Sequence, residues 1–252
     1  MKKIIQLQNF FNQNPRLAVA FSGGVDSSYL LYAAKTAGCD VRAFFIKSEF
    51  QPQFEFDEAV QMASKLNVPL KVIELNVLNE SEIADNSPDR CYYCKSKILE
   101  KLWESVHADG YTILCDGTNA DDDEGDRPGM RALHEQKVLS PLRDCGLNKN
   151  EIRKLSKEAS LFTHDKPAYA CLATRVPTGT KITKEYLTKI EQAESALFKM
   201  GFTDFRVRLI PPDTAKIQIP ADSWDKIASR RKEIYDALHP FYSEILLDLK
   251  LR

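Results

Sequence analysis

The chain has 252 residues, 43% hydrophobic and 28% charged, proportions of an ordinary globular protein with enough length for one large domain or a medium one with a small companion. Lysine and arginine (35) balance aspartate and glutamate (36) to a net charge of −1, which argues against a broad nucleic-acid-binding surface. No apolar stretch approaches the ~18–20 residues of a membrane span, and the polar-interrupted start MKKIIQLQNFFNQNP does not read as a secretory signal, so a cytoplasmic protein without a membrane partner is expected. In that reducing setting, closely spaced members of the six cysteines point to metal or catalysis rather than to disulfides.

In chain order, an N-terminal helix is followed by an apolar strand at 17–21 (LAVAF), a glycine loop (SGGVDSS) and a helix from Ser27 to Ala37 stopped at Gly38. A strand at 41–46, a helix from Phe54 to Leu66 and a strand at 70–75 continue the alternation. A polar loop with SPDR leads to a helix at about 92–107 and a fourth strand at 111–116. The acidic stretch 117–129 and a helix from Asn148 to Ser160 follow. Strands alternating with helices of this length predict an α/β fold, a parallel sheet with its ligand at the strand carboxyl ends. Beyond a junction at Pro167 to Gly179 the order changes: a helix at 181–199, strands at 205–210 and 215–219, a helix at 222–238 and a strand at 244–249. The reading is therefore two domains, 1–166 and a smaller α+β unit, 167–252.

Ser22, Gly23, Gly24, Asp26 and Ser27 lie between a strand and a helix start, where unpaired backbone N–H groups gather around an anion and glycines admit it closely. Asp26 is ill placed against a bare phosphate but suited to Mg²⁺ bridging pyrophosphate oxygens. The loop is not a Walker motif. It resembles the SGGxDS PP-loop of ATP pyrophosphatases, which cleave ATP between the α- and β-phosphates. The turn Asp116-Gly117-Thr118-Asn119 ends the fourth strand on the same rim, and Asp121 and Asp122 are either metal ligands or solvated carboxylates.

Cys91 and Cys94 form a C-x-x-C at a helix start, both on one helical face. No second C-x-x-C or histidine pair completes a zinc site. With Cys171, flanked by alanines in PAYACLATR, they offer three thiolates, a set suited to a 4Fe–4S cluster with one open iron. Cys39, Cys115 and Cys145 read as core residues. Arg206 and Arg208 alternate on a predicted strand and share a face, a spacing suited to a phosphate.

With SGGVDSS, SPDRCYYCK, DGTNADD, RPGMRAL, DKPAYACLATR, RVR and AKIQI in order, the chain resembles the LarE family of ATP-dependent sulfur transferases over about residues 17 to 220. The resemblance implies a PP-loop ATP pyrophosphatase domain, similar to adenine nucleotide alpha hydrolases, and a C-terminal substrate and oligomerisation domain. The implied reaction adenylates a carboxylate of pyridinium-3,5-biscarboxylic acid mononucleotide and replaces AMP with sulfur. The product is a thiocarboxylate on the way to the nickel-pincer nucleotide of lactate racemase and related enzymes. The implied roles are ATP and Mg²⁺ binding for Ser22, Gly23, Gly24, Asp26 and Ser27, sulfur delivery for Cys171 and a substrate-site role for Arg175. One branch of the family sacrifices the sulfur of its single cysteine and ends with dehydroalanine. Another holds a 4Fe–4S cluster on three cysteines, and Cys91, Cys94 and Cys171 resemble that branch. A homo-oligomer is expected, and the sulfur donor is not named by the resemblance. The chain departs from the family's usual spelling at Gln218, where a carboxylate is lost, and between Asp122 and Arg127. A PP-loop tRNA thiolase and an ammonia-dependent PP-loop ligase are the competing expectations.

Overall fold

Residue contacts divide the computed structural model, which describes residues 2–122 and 128–250, into two units. The first comprises Met1–Ser48, Gln53–Asn76 and Cys91–Lys166. Helix α1 (Lys2–Gln13) precedes β1 (Arg16–Ala20), α2 (Val25–Thr36), β2 (Asp40–Lys47), α3 (Gln53–Lys65) and β3 (Leu70–Glu74). After the short α4 (Ser81–Ala84) come α5 (Arg90–Ala108), β4 (Leu114–Cys115), α6 (Pro128–Glu135), α7 (Pro141–Asp144) and α8 (Lys149–Glu158).

The four strands form one parallel sheet in the order β3-β2-β1-β4. The chain winds outward from β1 through β2 to β3, then returns to place β4 on the other side of β1. That reversal makes a topological switch point at the carboxyl ends of β1 and β4, where open α/β sheets bind ligands. Leu17 and Val19 pack with Phe45, Leu30, Leu31 and Met62 in one core cluster, while Ala18 faces Phe44, Leu99 and Leu114 in another. The sheet is thus apolar on both faces, as a parallel sheet covered by helices must be.

The fourth strand is far shorter than the expected 111–116. Tyr111 packs edge-on against Phe44 and its hydroxyl hydrogen-bonds Asp40, so 111 approaches the sheet through its side chain, and the backbone first meets β1 where Ala18 N donates to Ile113 O at 2.8 Å. On its outer side β4 pairs with the single residue Leu139, whose N–H donates to Leu114 O and whose carbonyl accepts from Asp116 N.

The second unit comprises Glu49–Pro52, Val77–Arg90 and Pro167–Arg252. It contains α4 and, after a 3-10 turn at Leu172–Arg175, α9 (Lys184–Lys199), β5 (Arg206–Ile210), β6 (Thr214–Gln218), α10 (Trp224–Ser229), α11 (Arg231–Leu238) and β7 (Glu244–Leu247). β5 and β6 are antiparallel and β7 joins parallel to β6. The expected single helix 222–238 breaks at Arg230, which leaves helical backbone (φ −108°, ψ 18°) and hydrogen-bonds Met200 O. Segments 49–52 and 77–90, read from sequence as part of 1–166, group here through hydrogen bonds such as Leu172 N to Phe50 O and Ile182 N to Ala84 O.

Candidate active site

The glycine loop leaves β1 at its carboxyl end. Gly23 takes a left-handed conformation (φ +72°), and a Cβ there would come within 3.0 Å of the Ala59 Cβ on α3. Gly24 caps α2 in extended geometry, so the first N–H groups of that helix face the switch point. Ser22 Oγ lies 3.0 Å from Ser27 Oγ and accepts from Gly24 N at 3.3 Å. The hydroxyls thereby fold the loop on itself.

Asp116 is buried and accepts from Ser140 Oγ at 2.7 Å and from Thr118 Oγ1 at 2.5 Å, which fixes the turn after β4. Gly117 of that turn rests on the backbone of Ser27. Asp121 and Asp122, left open between metal ligand and surface carboxylate, are both structural partners. Asp122 Oδ2 accepts from Asn119 N at 2.9 Å, and Asp121 Oδ2 accepts from Lys149 N at the start of α8 at 2.8 Å. Residues 123–127, most of the stretch in which the spelling departs from the family's, lie outside the described residues.

Sequence reading missed Lys149. It directly follows Asn148, which caps α8 through a reciprocal box with Glu151. Its Nζ lies 2.5 Å from Asp26 Oδ2. The only sequence signal was a lysine at a helix start; the packing of α8 against α2 makes it part of the loop site.

Asp26 Oδ1 is buried and makes no hydrogen bond among the described residues. Burial pushes the Asp26 pKa above its ordinary value, opposed by the hydrogen bond and charge of Lys149 and reinforced by the Asp122 carboxylate. A buried carboxylate oxygen without a hydrogen-bond donor, beside the N–H groups that open α2, fits Mg²⁺, which binds through one or two carboxylates together with phosphate oxygens. The raised pKa also sets a sign. Ionised Asp26 destabilises the folded state at every pH above its raised value, because the unfolded chain ionises more readily. Asp26→Asn is therefore expected to hold or raise the melting temperature at pH 7 while Mg-ATP binding weakens by at least ~10-fold. Thermal melts with and without Mg-ATP check both halves; a variant still stabilised by Mg-ATP to the wild-type extent contradicts the assignment.

The cysteines separate by environment. Cys39, Cys115 and Cys145 are buried, and burial raises the pKa of each thiol, so they stay neutral core groups. Cys91 is exposed and Cys94 half-buried, near the start of α5 in the first unit; Cys171, half-buried, precedes the 3-10 turn in the second. In accessibility and donor type these three fit thiolate ligation of iron. Among the described residues, no group of three or more His, Cys, Asp or Glu that could hold a metal ion is already gathered.

All three arginines singled out from sequence hold the chain around Cys171. Arg175 is 1% exposed, with Nε on Glu194 Oε1 (2.9 Å), Nη2 on Glu194 Oε2 (3.1 Å) and Nη1 on Ala170 O (2.7 Å). Arg206 is buried and donates to Ala168 O at 2.8 Å; its guanidinium and that of Arg175 lie 5.1 and 4.5 Å from the Tyr169 ring centroid. Arg208 is half-buried and donates to Thr174 O at 2.6 Å and to Gln218 Oε1. Gln218 passes its amide on to Asp248 (2.7 Å), so a carboxylate stands one hydrogen bond beyond the position where the sequence lost one. That bond, with the Lys250 N–H and the Lys216 ammonium, draws the Asp248 pKa down to about 2.

Glu194 also accepts from Val207 N at 2.9 Å and from Tyr169 OH, making it the polar centre of this unit. Removing one member of a buried ion pair strands the other, so Arg175→Met should destabilise the protein by about 3–5 kcal/mol. Adding Glu194→Leu should recover part of that loss. Urea unfolding of the single and double variants measures it; equal stabilities for Arg175→Met and wild type would contradict the pairing.

Comparison with known proteins gives related results. Residues 16–88 match the family model described as queuosine biosynthesis protein QueC. An uncharacterized protein of Methanocaldococcus jannaschii is 32% identical over 255 residues, covering 100% of this chain and 97% of that protein. The pyridinium-3,5-bisthiocarboxylic acid mononucleotide synthase of Lactiplantibacillus plantarum is 33% identical over 207 residues, 81% of this chain and 75% of that enzyme. A tRNA-specific 2-thiouridylase of Pseudothermotoga lettingae is 25% identical over 190 residues, 60% of this chain and 54% of that enzyme. No helix among the described residues is long and apolar enough to cross a membrane.

Proposed function

Because the chain belongs to the LarE family of sulfur-transferring PP-loop enzymes, we propose that it converts pyridinium-3,5-biscarboxylic acid mononucleotide to a thiocarboxylate at the expense of ATP. The observation that carries this reading is the 33% identity to the Lactiplantibacillus plantarum synthase over most of both chains. The placement of Ser22–Ser27 at the sheet's switch point supports it.

In this reading the loop N–H groups and the Ser22 and Ser27 hydroxyls receive the pyrophosphate of ATP. Asp26 would hold Mg²⁺, whose charge neutralises the phosphate oxygens. Lys149, whose Nζ stands beside Asp26, would add its ammonium charge to the neutralisation of the same phosphates. A substrate carboxylate oxygen attacks the α-phosphorus, the bond from that phosphorus to the bridging oxygen breaks, and pyrophosphate leaves. The resulting acyl adenylate has AMP as its leaving group. In the sacrificial form of the reaction the Cys171 thiolate would attack the activated carbonyl and AMP would depart. Loss of the Cys171 Cα proton with cleavage of its Cβ–S bond then frees the thiocarboxylate and leaves dehydroalanine. In the three-cysteine form of the reaction, Cys91, Cys94 and Cys171 would hold a 4Fe–4S cluster that supplies sulfide and spares the protein. Arg208, the most accessible of the three arginines, would be the one to meet substrate phosphate.

The test is pyrophosphate release on adding the pyridinium substrate to anaerobically purified protein, with mass spectrometry of the product and iron and sulfide analysis of the protein. Substrate-dependent release together with a thiocarboxylate product is expected. The likeness to a tRNA 2-thiouridylase favours a second reading, sulfur transfer to tRNA. Thiolated tRNA without a thiolated small molecule would establish that reading instead, against which the net charge of −1 already weighs.

A further inference from the structure

We infer that Arg90 is a positioning residue for Cys171. The inference rests on the reading of Cys171 as the residue that delivers sulfur.

The segment from Ala168 to Arg175 contains no strand or α-helix, only the 3-10 turn at Leu172–Arg175. Its carbonyls therefore lack ladder partners, and beyond the turn's own bonds from Thr174 N to Cys171 O (3.0 Å) and Val176 N to Ala173 O (3.3 Å), arginines donate to them. Arg206 donates to Ala168 O, Arg175 to Ala170 O and, at 3.3 Å, to Cys171 O, and Arg208 to Thr174 O. Arg90 completes the series with Ala173 O at 3.0 Å. A guanidinium presents its donors in a rigid planar fork, so each contact fixes a direction as well as a distance.

Arg90 differs from the other three in coming from the distant segment 77–90 of the same unit. It is 8% exposed and also donates to Asn86 Oδ1 at 2.6 Å. Asn86, 1% exposed and in a left-handed conformation (φ +56°), directs its amide to Val176 O (3.4 Å), Pro177 O (2.8 Å) and Thr180 O (3.1 Å). Its own carbonyl accepts from Gly179 N at 2.9 Å. Arg90 and Asn86 thus form one polar staple that grips the chain from Ala173 to Thr180, immediately after Cys171.

Burying a guanidinium carries a desolvation penalty of several kcal/mol, and apolar side chains could pack a loop without it. What the polar staple adds is registration. It holds the backbone two residues from Cys171 while leaving the Cys171 side chain half-exposed, so the chain that carries the sulfur is anchored without covering it. An ångström of misplacement at a reacting atom is worth about 100-fold in rate.

The experiment compares wild type, Arg90→Gln and Arg90→Lys in two half-reactions with the pyridinium substrate: pyrophosphate released and sulfur transferred. The expected result for Arg90→Gln is a fall of at least ~10-fold in sulfur transferred per pyrophosphate, with KM for ATP unchanged. Arg90→Lys, a donor without the planar fork, should restore part of the ratio. General loss of folding lowers both half-reactions together and leaves the ratio unmoved, so an unchanged ratio in folded Arg90→Gln overturns the inference. Amide exchange of residues 172–176 provides a readout independent of chemistry. It should accelerate at least ~10-fold in Arg90→Gln while α2 is unaffected. If wild type releases no pyrophosphate with this substrate, the functional reading fails by itself, and unaccelerated exchange then overturns the role of Arg90 as well.

Discussion

Cys171→Ala is expected to release pyrophosphate from ATP on addition of the pyridinium substrate at a rate within about threefold of wild type, yet to yield less than ~0.1% of the wild-type thiocarboxylate. The two halves separate because the groups proposed to bind ATP, from Ser22 to Ser27 with Lys149, belong to one unit of the structure and Cys171 to the other. Removing the thiol takes away the sulfur nucleophile, or a ligand of the cluster that would supply sulfide, and leaves the phosphate cradle intact. The Cys171 backbone should survive too, because its carbonyl is held by Thr174 Oγ1 (2.8 Å) and Arg175 Nη1 rather than by its own side chain. Simultaneous quantitation of pyrophosphate and thiocarboxylate makes the measurement, and wild-type product from Cys171→Ala would end the assignment. Companion variants Cys91→Ala and Cys94→Ala distinguish the source of sulfur. If Cys171 is sacrificed, both still form one product per chain and Cys171 becomes dehydroalanine. If a cluster delivers sulfide, wild type turns over repeatedly and both variants lose iron and turnover together.

Gly117→Ala should weaken Mg-ATP binding by ~100-fold or more, close to 3 kcal/mol. A Cβ at this position would lie 2.7 Å from Ser27 N, 3.0 Å from Ser27 Cα and 3.2 Å from Asp26 C, all backbone atoms of the first turn of α2. Backbone cannot rotate away as a side-chain tip can, so either α2 shifts or the turn after β4 does. Both distort the group of N–H donors on which the pyrophosphate is proposed to rest. Overpacking should also lower stability by about 1–3 kcal/mol. Gly38→Ala is the control. Gly38 has φ +84° with no atom within 4 Å of a Cβ, so alanine there is strained locally and leaves ATP affinity unchanged. Calorimetric titration with Mg-ATP alongside urea unfolding measures both effects; unaltered affinity in Gly117→Ala would show that this contact does not shape the site.

The parts of the molecule legible in the amino-acid sequence are those governed by neighbours in the chain. Apolar runs at β1, β2 and β3 announce buried strands, and the glycine loop carries its own conformational requirement at Gly23. The helix over 222–238 shows the limit. Its apolar periodicity continues past Arg230, but the Arg230 side chain is drawn to Met200 O, in another element, and the backbone breaks there. Strand β4 was overextended for a related reason, since nothing local reveals that Tyr111 would be engaged with Phe44 and Asp40.

By itself the sequence determined the inventory: a glycine loop at a helix start that carries a carboxylate, three cysteines apart from three core cysteines, and a pair of arginines on one face of a strand. Tertiary structure alone decided which of those groups are already engaged. It set Lys149 against Asp26, left Asp26 Oδ1 without a donor, and turned Arg175, Arg206 and Arg208 inward to the carbonyls around Cys171. It also recruited Arg90, read from sequence as the end of a polar loop, and Asn86 to hold the same segment. The physical reason is that strand and helix periodicity are set within a few residues, whereas a buried donor or acceptor takes its partner wherever the fold brings one.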